Sequence, residues 1–114
     1  MPQHDDRVYL RHVLDAVITI RSYIEGMDQV GFVADKKTQD AVIKNLTVIG
    51  EAAGRVSDAF RKAHPSLPWR QMTGMRNILV HHYFGVNVAD VWETVAGDLS
   101  GLAAEVSRLL ERDG

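Results

Sequence analysis

The residues best suited to chemistry lie together in one run, Arg76-Asn77-Ile78-Leu79-Val80-His81-His82-Tyr83. Asn77 and His81 are four apart, so on a helix they share a face and the amide can orient the imidazole. Arg76 is offset from His81 by about 140° on the helical wheel, and its long side chain can reach round to a shared site. An imidazole that exchanges a proton near neutral pH and a guanidinium that neutralises charge on phosphorus form a minimal kit for phosphodiester transesterification. RNA would supply its own nucleophile, the 2′-hydroxyl, so no metal-activated water is needed. By spacing alone, a solvated helix end is the competing reading of the same residues.

Other chemistries find little support. There is no Gly-rich phosphate loop of Walker or Rossmann type and no Gly-x-Ser-x-Gly elbow. No His-x-x-x-His or His-Glu-x-x-His occurs, and His81 and His82 would point about 100° apart on a regular helix. No metal site and no cofactor are expected. With no cysteine, disulfides, thiolate ligands and a thiol nucleophile are excluded. His12 reads as a surface residue. The formal net charge of −2 argues at first sight against a polyanionic partner, yet its distribution is uneven. Arg55 to His82 carries +4 and the rest of the chain −6, and the basic stretch also holds His64, His81 and His82. Chance in a short chain can also produce such a bias.

The elements that must position these residues read as helices. The 114 residues suit one domain, 1–114, in which roughly two thirds of the unfolded surface can be buried. No apolar run approaches the ~20 residues of a membrane span, and the first eleven residues are too polar for a secretory signal, so a cytoplasmic location is expected. Leu10, Val13, Val17, Ile20, Ile24 and Met27 form one helical stripe. Val42, Leu46, Ile49, Ala53, Val56, Phe60 and Ala63 form a second, read as one helix capped by Asp35 or Thr38. Between them lies a turn with a short apolar element at Val30 to Val33. After Pro68 a shorter helix is predicted from Trp69 towards His82, with Met72, Met75 and Leu79 inward and a break near Gly74.

A turn at Phe84 to Asn87 follows, with Asn87 as N-cap of a last helix striped by Val88, Val91, Val95, Leu99, Leu102, Val106 and Leu109. The fold class is therefore all-α, an antiparallel four-helix bundle with a short extra helical element. Leu14 and Ile18 widen the apolar face of the first helix, and Gly97 and Gly101 leave gaps on the last. Both features fit a homodimer, and both also fit extra contact within one bundle.

The spacing Arg76, four residues, His81, one residue, Tyr83 resembles the Arg-x4-His-x-Tyr signature of HepT-type toxins of the HEPN (higher eukaryotes and prokaryotes nucleotide-binding) superfamily. Asn77 fits that superfamily's broader Arg-Asn-x-x-x-His form. Similarity extends through Tyr9-Leu10-Arg11-His12, Lys37 to Val42, Asn45-Leu46, Ile49-Gly50-Glu51-Ala52-Ala53, the stretch from Pro68 through Val86, and Val91-Trp92. Nearly the whole chain is covered.

The resemblance implies a dimerising HEPN-like helical bundle with metal-independent endoribonuclease activity. It also implies a type VII-like toxin–antitoxin pair with a minimal nucleotidyltransferase antitoxin of the MntA type, in a homodimer or a higher oligomer with that antitoxin. Carried over residue by residue, Arg76 would stabilise the phosphorane-like transition state and His81 would be general acid or base. Asn77 would orient the site, and Tyr83 would be the position that the antitoxin AMPylates, which adds bulk and negative charge. His82 and Arg70 are candidate RNA contacts, His82 reading first as an exposed residue.

An alternative reading is a non-catalytic nucleotide- or substrate-binding partner of the transferase, and another is a purely structural helical dimer. Trp69 and Trp92 read as packing, not stacking platforms. Gly50 and Gly54 read as close-packing points. Arg55, Arg61, Lys62 and Arg70 read as solvated, with some lining an RNA path.

Overall fold

The computed structural model describes residues 5–77 and 87–113. All regular structure among them is helical. Helix α1 (Asp6–Ile24) starts where Asp5 accepts a hydrogen bond from the Arg7 amide at 2.9 Å. It buries Leu10, Val13, Val17 and Ile20 completely. Gly26, with φ of 78°, turns the chain out of the helix, a backbone conformation that residues with a Cβ rarely adopt. The short apolar element is α2 (Gln29–Val33), a helix of little more than one turn that inserts Phe32 into the core and leaves Val30 exposed.

Asp35 caps α3 (Lys36–Gly54) by accepting from the Thr38 amide at 3.0 Å and the Thr38 hydroxyl at 2.8 Å. Of the two capping candidates Asp35 is the cap, and Thr38 lies inside the helix as its donor. Gln39, buried in the first turn of α3, donates through Nε2 to the carbonyls of Phe32 (2.9 Å) and Val33 (2.8 Å). That amide ties the end of α2 to α3 through one buried bond, to Phe32, and one half-buried bond, to Val33.

The second stripe does not form one helix. It divides into α3 and α4 (Asp58–Ala63), with Phe60 half-buried and Ala63 exposed. The cause is a contact distant in sequence. Asp6, in the first turn of α1, accepts from the Ser57 amide (2.8 Å) and from the Ser57 hydroxyl (2.7 Å), while Ser57 Oγ accepts from the Phe60 amide (3.2 Å). Ser57 therefore starts a new helix instead of continuing the old one.

Helix α5 (Trp69–Gly74) passes into a 3-10 turn at Met75–Asn77, where the break near Gly74 was predicted. The Trp69 indole donates to the His64 carbonyl at 2.9 Å, and both tryptophans pack against the core, Trp92 at 5.3 Å from the ring of Phe32. The last helix begins as α6 (Val88–Glu93), capped by Asn87, passes through a π segment (Thr94–Asp98) and continues as α7 (Leu99–Asp113). The underwound π bonding keeps Val91, Val95 and Leu99 on the buried side although two four-residue steps follow one another.

Helix α1 packs on α3 and on α7, and α5 packs on α3. The Asp6–Ser57 bonds place the start of α1 beside the end of α3, so this pair is antiparallel. Leu14 is half-buried against the core and lines a groove with Ser107 and Leu110, whereas Ile18 is 55% exposed. Of the two apolar residues that widen α1, only Leu14 is used within the bundle. No described neighbour lies within 4 Å of where a Cβ at Gly97 or Gly101 would stand. No described helix is long and apolar enough to cross a membrane.

Two outcomes follow for stability. Gln39→Leu removes the side-chain donor that Phe32 and Val33 share, although the Phe32 carbonyl keeps the Asp35 amide at 3.1 Å, and should cost about 1–2 kcal/mol in urea denaturation; a change below about 0.5 kcal/mol would show that the bonds are dispensable. The Asp35 carboxyl is held below its ordinary value of 3.8, chiefly by the Thr38 amide and then by the Thr38 hydroxyl. The cap therefore stabilises the folded chain above the unfolded value and is lost as pH falls through the lower folded value. Carboxyl NMR should place the Asp35 midpoint below pH 3.8, and a midpoint above it would contradict this account of the cap.

Candidate active site

Arg76 and Asn77 lie on the 3-10 turn, and both are exposed. The turn is anchored from within by Met72 and Met75, which are buried on the α3 side of the bundle. The α-to-3-10 transition is marked by the Met75 amide, which donates to the carbonyls of both Met72 and Thr73.

The backbone of Arg76 meets α3 at Gly50. A methyl group at position 50 would overlap the Arg76 amide nitrogen and would stand 2.8 Å from both its Cα and its Cβ. One turn further along α3, the Cβ position of Gly54 is 3.5 Å from Arg76 Nη1. The side chain thus runs from above Gly50 to above Gly54, parallel to the helix. Gly50 is a close-packing point, as read from the sequence, whereas Gly54 faces the guanidinium at ordinary van der Waals distance. No hydrogen bond or ion pair to Arg76 is found among the described residues. No described acid neutralises its charge.

His81, His82 and Tyr83, together with Leu79 and most of the Phe84 to Asn87 turn, lie outside the described residues. Asn77 is described, but its predicted face-sharing with His81 is not. Arg70 is exposed on the first turn of α5, and no described bond links its side chain to Arg76.

Antiparallel packing adds residues that the charge count along the chain missed. Tyr9 and His12 of α1 form a cleft of about 260 Å³ with Val48, Glu51 and Ala52 of α3 and with Arg55, which follows its last residue. The Tyr9 and His12 rings meet edge to face, with centroids 6.2 Å apart. Glu51 and Arg55 bracket Gly54 in sequence, so the cleft opens on the neighbouring face of the same stretch of α3. Arg7 and Arg11 line a second cleft near His12, with Asp5, Val8 and Leu110. His12 is exposed, as read from the sequence, but it stands in a groove with Arg55 and not on an isolated surface. Recognising this from sequence required only that the start of α1 lie beside the end of α3, which any antiparallel pair of equal length provides. Acidic groups moderate the charge here: Glu51 shares the cleft, and Asp58 holds Arg61 Nη2 at 3.0 Å.

Comparison with known proteins gives a consistent result. A family profile described as Ribonuclease HepT-like matches residues 13–109. A protein of Thermococcus cleftensis named as probable ribonuclease HepT is 40% identical over 101 residues, 89% of this chain and 92% of its own length. A candidate RNase of Methanocaldococcus jannaschii is 35% identical over 97% of this chain and 92% of its own length. A candidate RNase of Caldanaerobacter subterraneus subsp. tengcongensis is 34% identical over 94% and 96% respectively. No solved structure matches the chain.

Proposed function

The chain belongs to the HepT-like ribonuclease family, and from that premise we propose that it is an endoribonuclease toxin that cleaves RNA without a metal, through Arg76 and His81. The observation that carries this reading is the state of Arg76. It is exposed, unpaired among the described residues, and set by its backbone against a buried glycine of α3. A cation so placed can meet a phosphodiester without first giving up a partner.

The reaction is transesterification. A base takes the proton of the 2′-hydroxyl, and O2′ forms a bond to the adjacent phosphorus. The bond from phosphorus to the 5′-oxygen breaks, and that oxygen receives a proton from an acid. The products are a 2′,3′-cyclic phosphate and a 5′-hydroxyl. Arg76 stabilises the extra negative charge of the pentacoordinate state, where a preorganised donor acts more strongly than in the ground state. His81 moves the proton, and in a homodimer one His81 serves as base while its symmetry mate serves as acid. Asn77 orients the imidazole. His82 and Arg70 contact the RNA.

The proposed partner is an MntA-type nucleotidyltransferase. The Tyr83 phenol attacks the α-phosphorus of ATP and pyrophosphate leaves, so that Tyr83 carries AMP. The added phosphodiester repels RNA and occupies space beside the catalytic pair. The pair functions in the cytoplasm.

Two experiments test this. Purified protein in EDTA should cleave RNA to cyclic-phosphate and 5′-hydroxyl ends, and a substrate with one 2′-deoxy sugar at the cleaved nucleotide should resist. His81→Ala should lower the rate by roughly 10²-fold or more. Products with 3′-hydroxyl ends, or equal cleavage of the deoxy substrate, would contradict the mechanism. With the cognate transferase and ATP, mass spectrometry should find the adenylyl group on Tyr83 with loss of cleavage; modification elsewhere, Tyr83 remaining unmodified, would exclude that mode of control.

A further inference from the structure

We propose that Gly50 and Gly54 are positioning residues that hold Arg76 in its working orientation, Gly50 by setting its backbone against α3 and Gly54 by leaving a track for its guanidinium. The inference rests on the proposed ribonuclease reading and deepens it, because it says why Arg76 stands where it does.

Neither glycine is explained by the helix itself. Apart from proline, glycine is the poorest residue for a helix interior, and α3 carries two of them in its last five residues. Neither has a positive φ; among the described residues only Gly26 does. A left-handed helix end therefore does not require them.

At Gly50 the requirement is absolute contact. The atoms that a Cβ would strike are the amide nitrogen, Cα and Cβ of Arg76. Two of these are backbone, in a turn pinned by Met72 and Met75, and they cannot swing aside as a side-chain tip can. Any larger residue must lift the 3-10 turn off α3 and carry Arg76 with it.

At Gly54 the requirement is different in kind. The position is exposed, and among the described residues the one neighbour a Cβ would meet is Arg76 Nη1, at 3.5 Å. Alanine would make an ordinary contact. A branched side chain would occupy the path along which the guanidinium lies. Positions 50 and 54 are one turn apart, about 6 Å along the axis, which an extended arginine side chain spans from Cβ to its terminal nitrogens. With no bond from a described residue holding the guanidinium, the shape of α3 is what directs it.

The experiment measures single-turnover cleavage of one defined RNA, RNA affinity and melting temperature for Gly54→Ala, Gly54→Leu, Arg76→Ala and the Gly54→Leu/Arg76→Ala pair. Gly54→Ala should cleave within about threefold of wild type. Gly54→Leu should keep or raise the melting temperature, since the site is exposed and leucine is the better helix former. Its cleavage rate at saturating RNA should nevertheless fall by about 10-fold or more, towards that of Arg76→Ala. In the Arg76→Ala background Gly54→Leu should cause no further loss, which separates an effect through Arg76 from a direct clash with RNA.

Independently of activity, the side-chain Nε–H resonance of Arg76 should shift in Gly54→Leu while amides of α1 stay in place. Gly50→Ala should lower both rate and stability, and it adds support without being needed for the decision. Wild-type cleavage by Gly54→Leu, or a full additive loss in the double variant, overturns the proposal while leaving Arg76 catalytic. Wild-type cleavage by Arg76→Ala overturns the proposal together with the ribonuclease reading of this site.

Discussion

Between α3 and the turn that carries Arg76 there is room for a hydrogen atom at position 50 and for nothing larger. That steric limit organises the surrounding structure. It requires α3 to be regular and firmly seated, which Leu46, Ile49 and Ala53 achieve by burial of their side chains in the core. It requires the opposing turn to be anchored as well, and Met72 and Met75 do this from beneath. Arg76 is consequently placed by backbone packing, and no bond to its guanidinium comes from a described residue. A cation held by an acid would bring its own competitor to an anionic substrate, whereas one held by its backbone keeps its charge for the ligand.

The antiparallel arrangement determines what else surrounds that charge. The Asp6 carboxylate, through the Ser57 amide and hydroxyl, ties the start of α1 to the start of α4. The same connection ends α3 and brings Tyr9 and His12 beside Arg55. A net charge of −2 is thus compatible with an anionic ligand, because the basic groups gather at one end of the bundle while most of the acidic excess lies elsewhere along the chain. Glu51 within the cleft makes this a mixed surface, in which position matters more than total charge.

Much of the fold was legible in the sequence because it depends on local periodicity. The stripes of α1, α3 and the last helix are buried at most positions their spacing indicated, with Ile24 and Val88 half-buried at helix ends and Met27 half-buried beyond the end of α1, and Asp35 and Asn87 cap where short polar side chains precede an apolar run. What escaped depends on contacts between distant residues. Phe60 and Ala63 continue the spacing of α3, and only the bond from Asp6 to Ser57 shows why they belong to a separate helix. Gly50 is one of several glycines in the sequence, and its meaning appears only when Arg76 lies across it. Of the motif, Arg76 and Asn77 have a described place. The roles of His81, His82 and Tyr83 rest on their spacing and on the family to which the chain belongs.

The central claim is that the guanidinium of Arg76 acts on the phosphodiester during cleavage. It is tested most directly by the single-turnover rate of Arg76→Ala on a short RNA at saturating protein, beside its melting temperature. Because Arg76 is exposed and unpaired among the described residues, the melting temperature should stay within a few degrees of wild type, while the rate should fall by about 10²-fold or more. A folded variant that cleaves within about threefold of the wild-type rate would contradict the account.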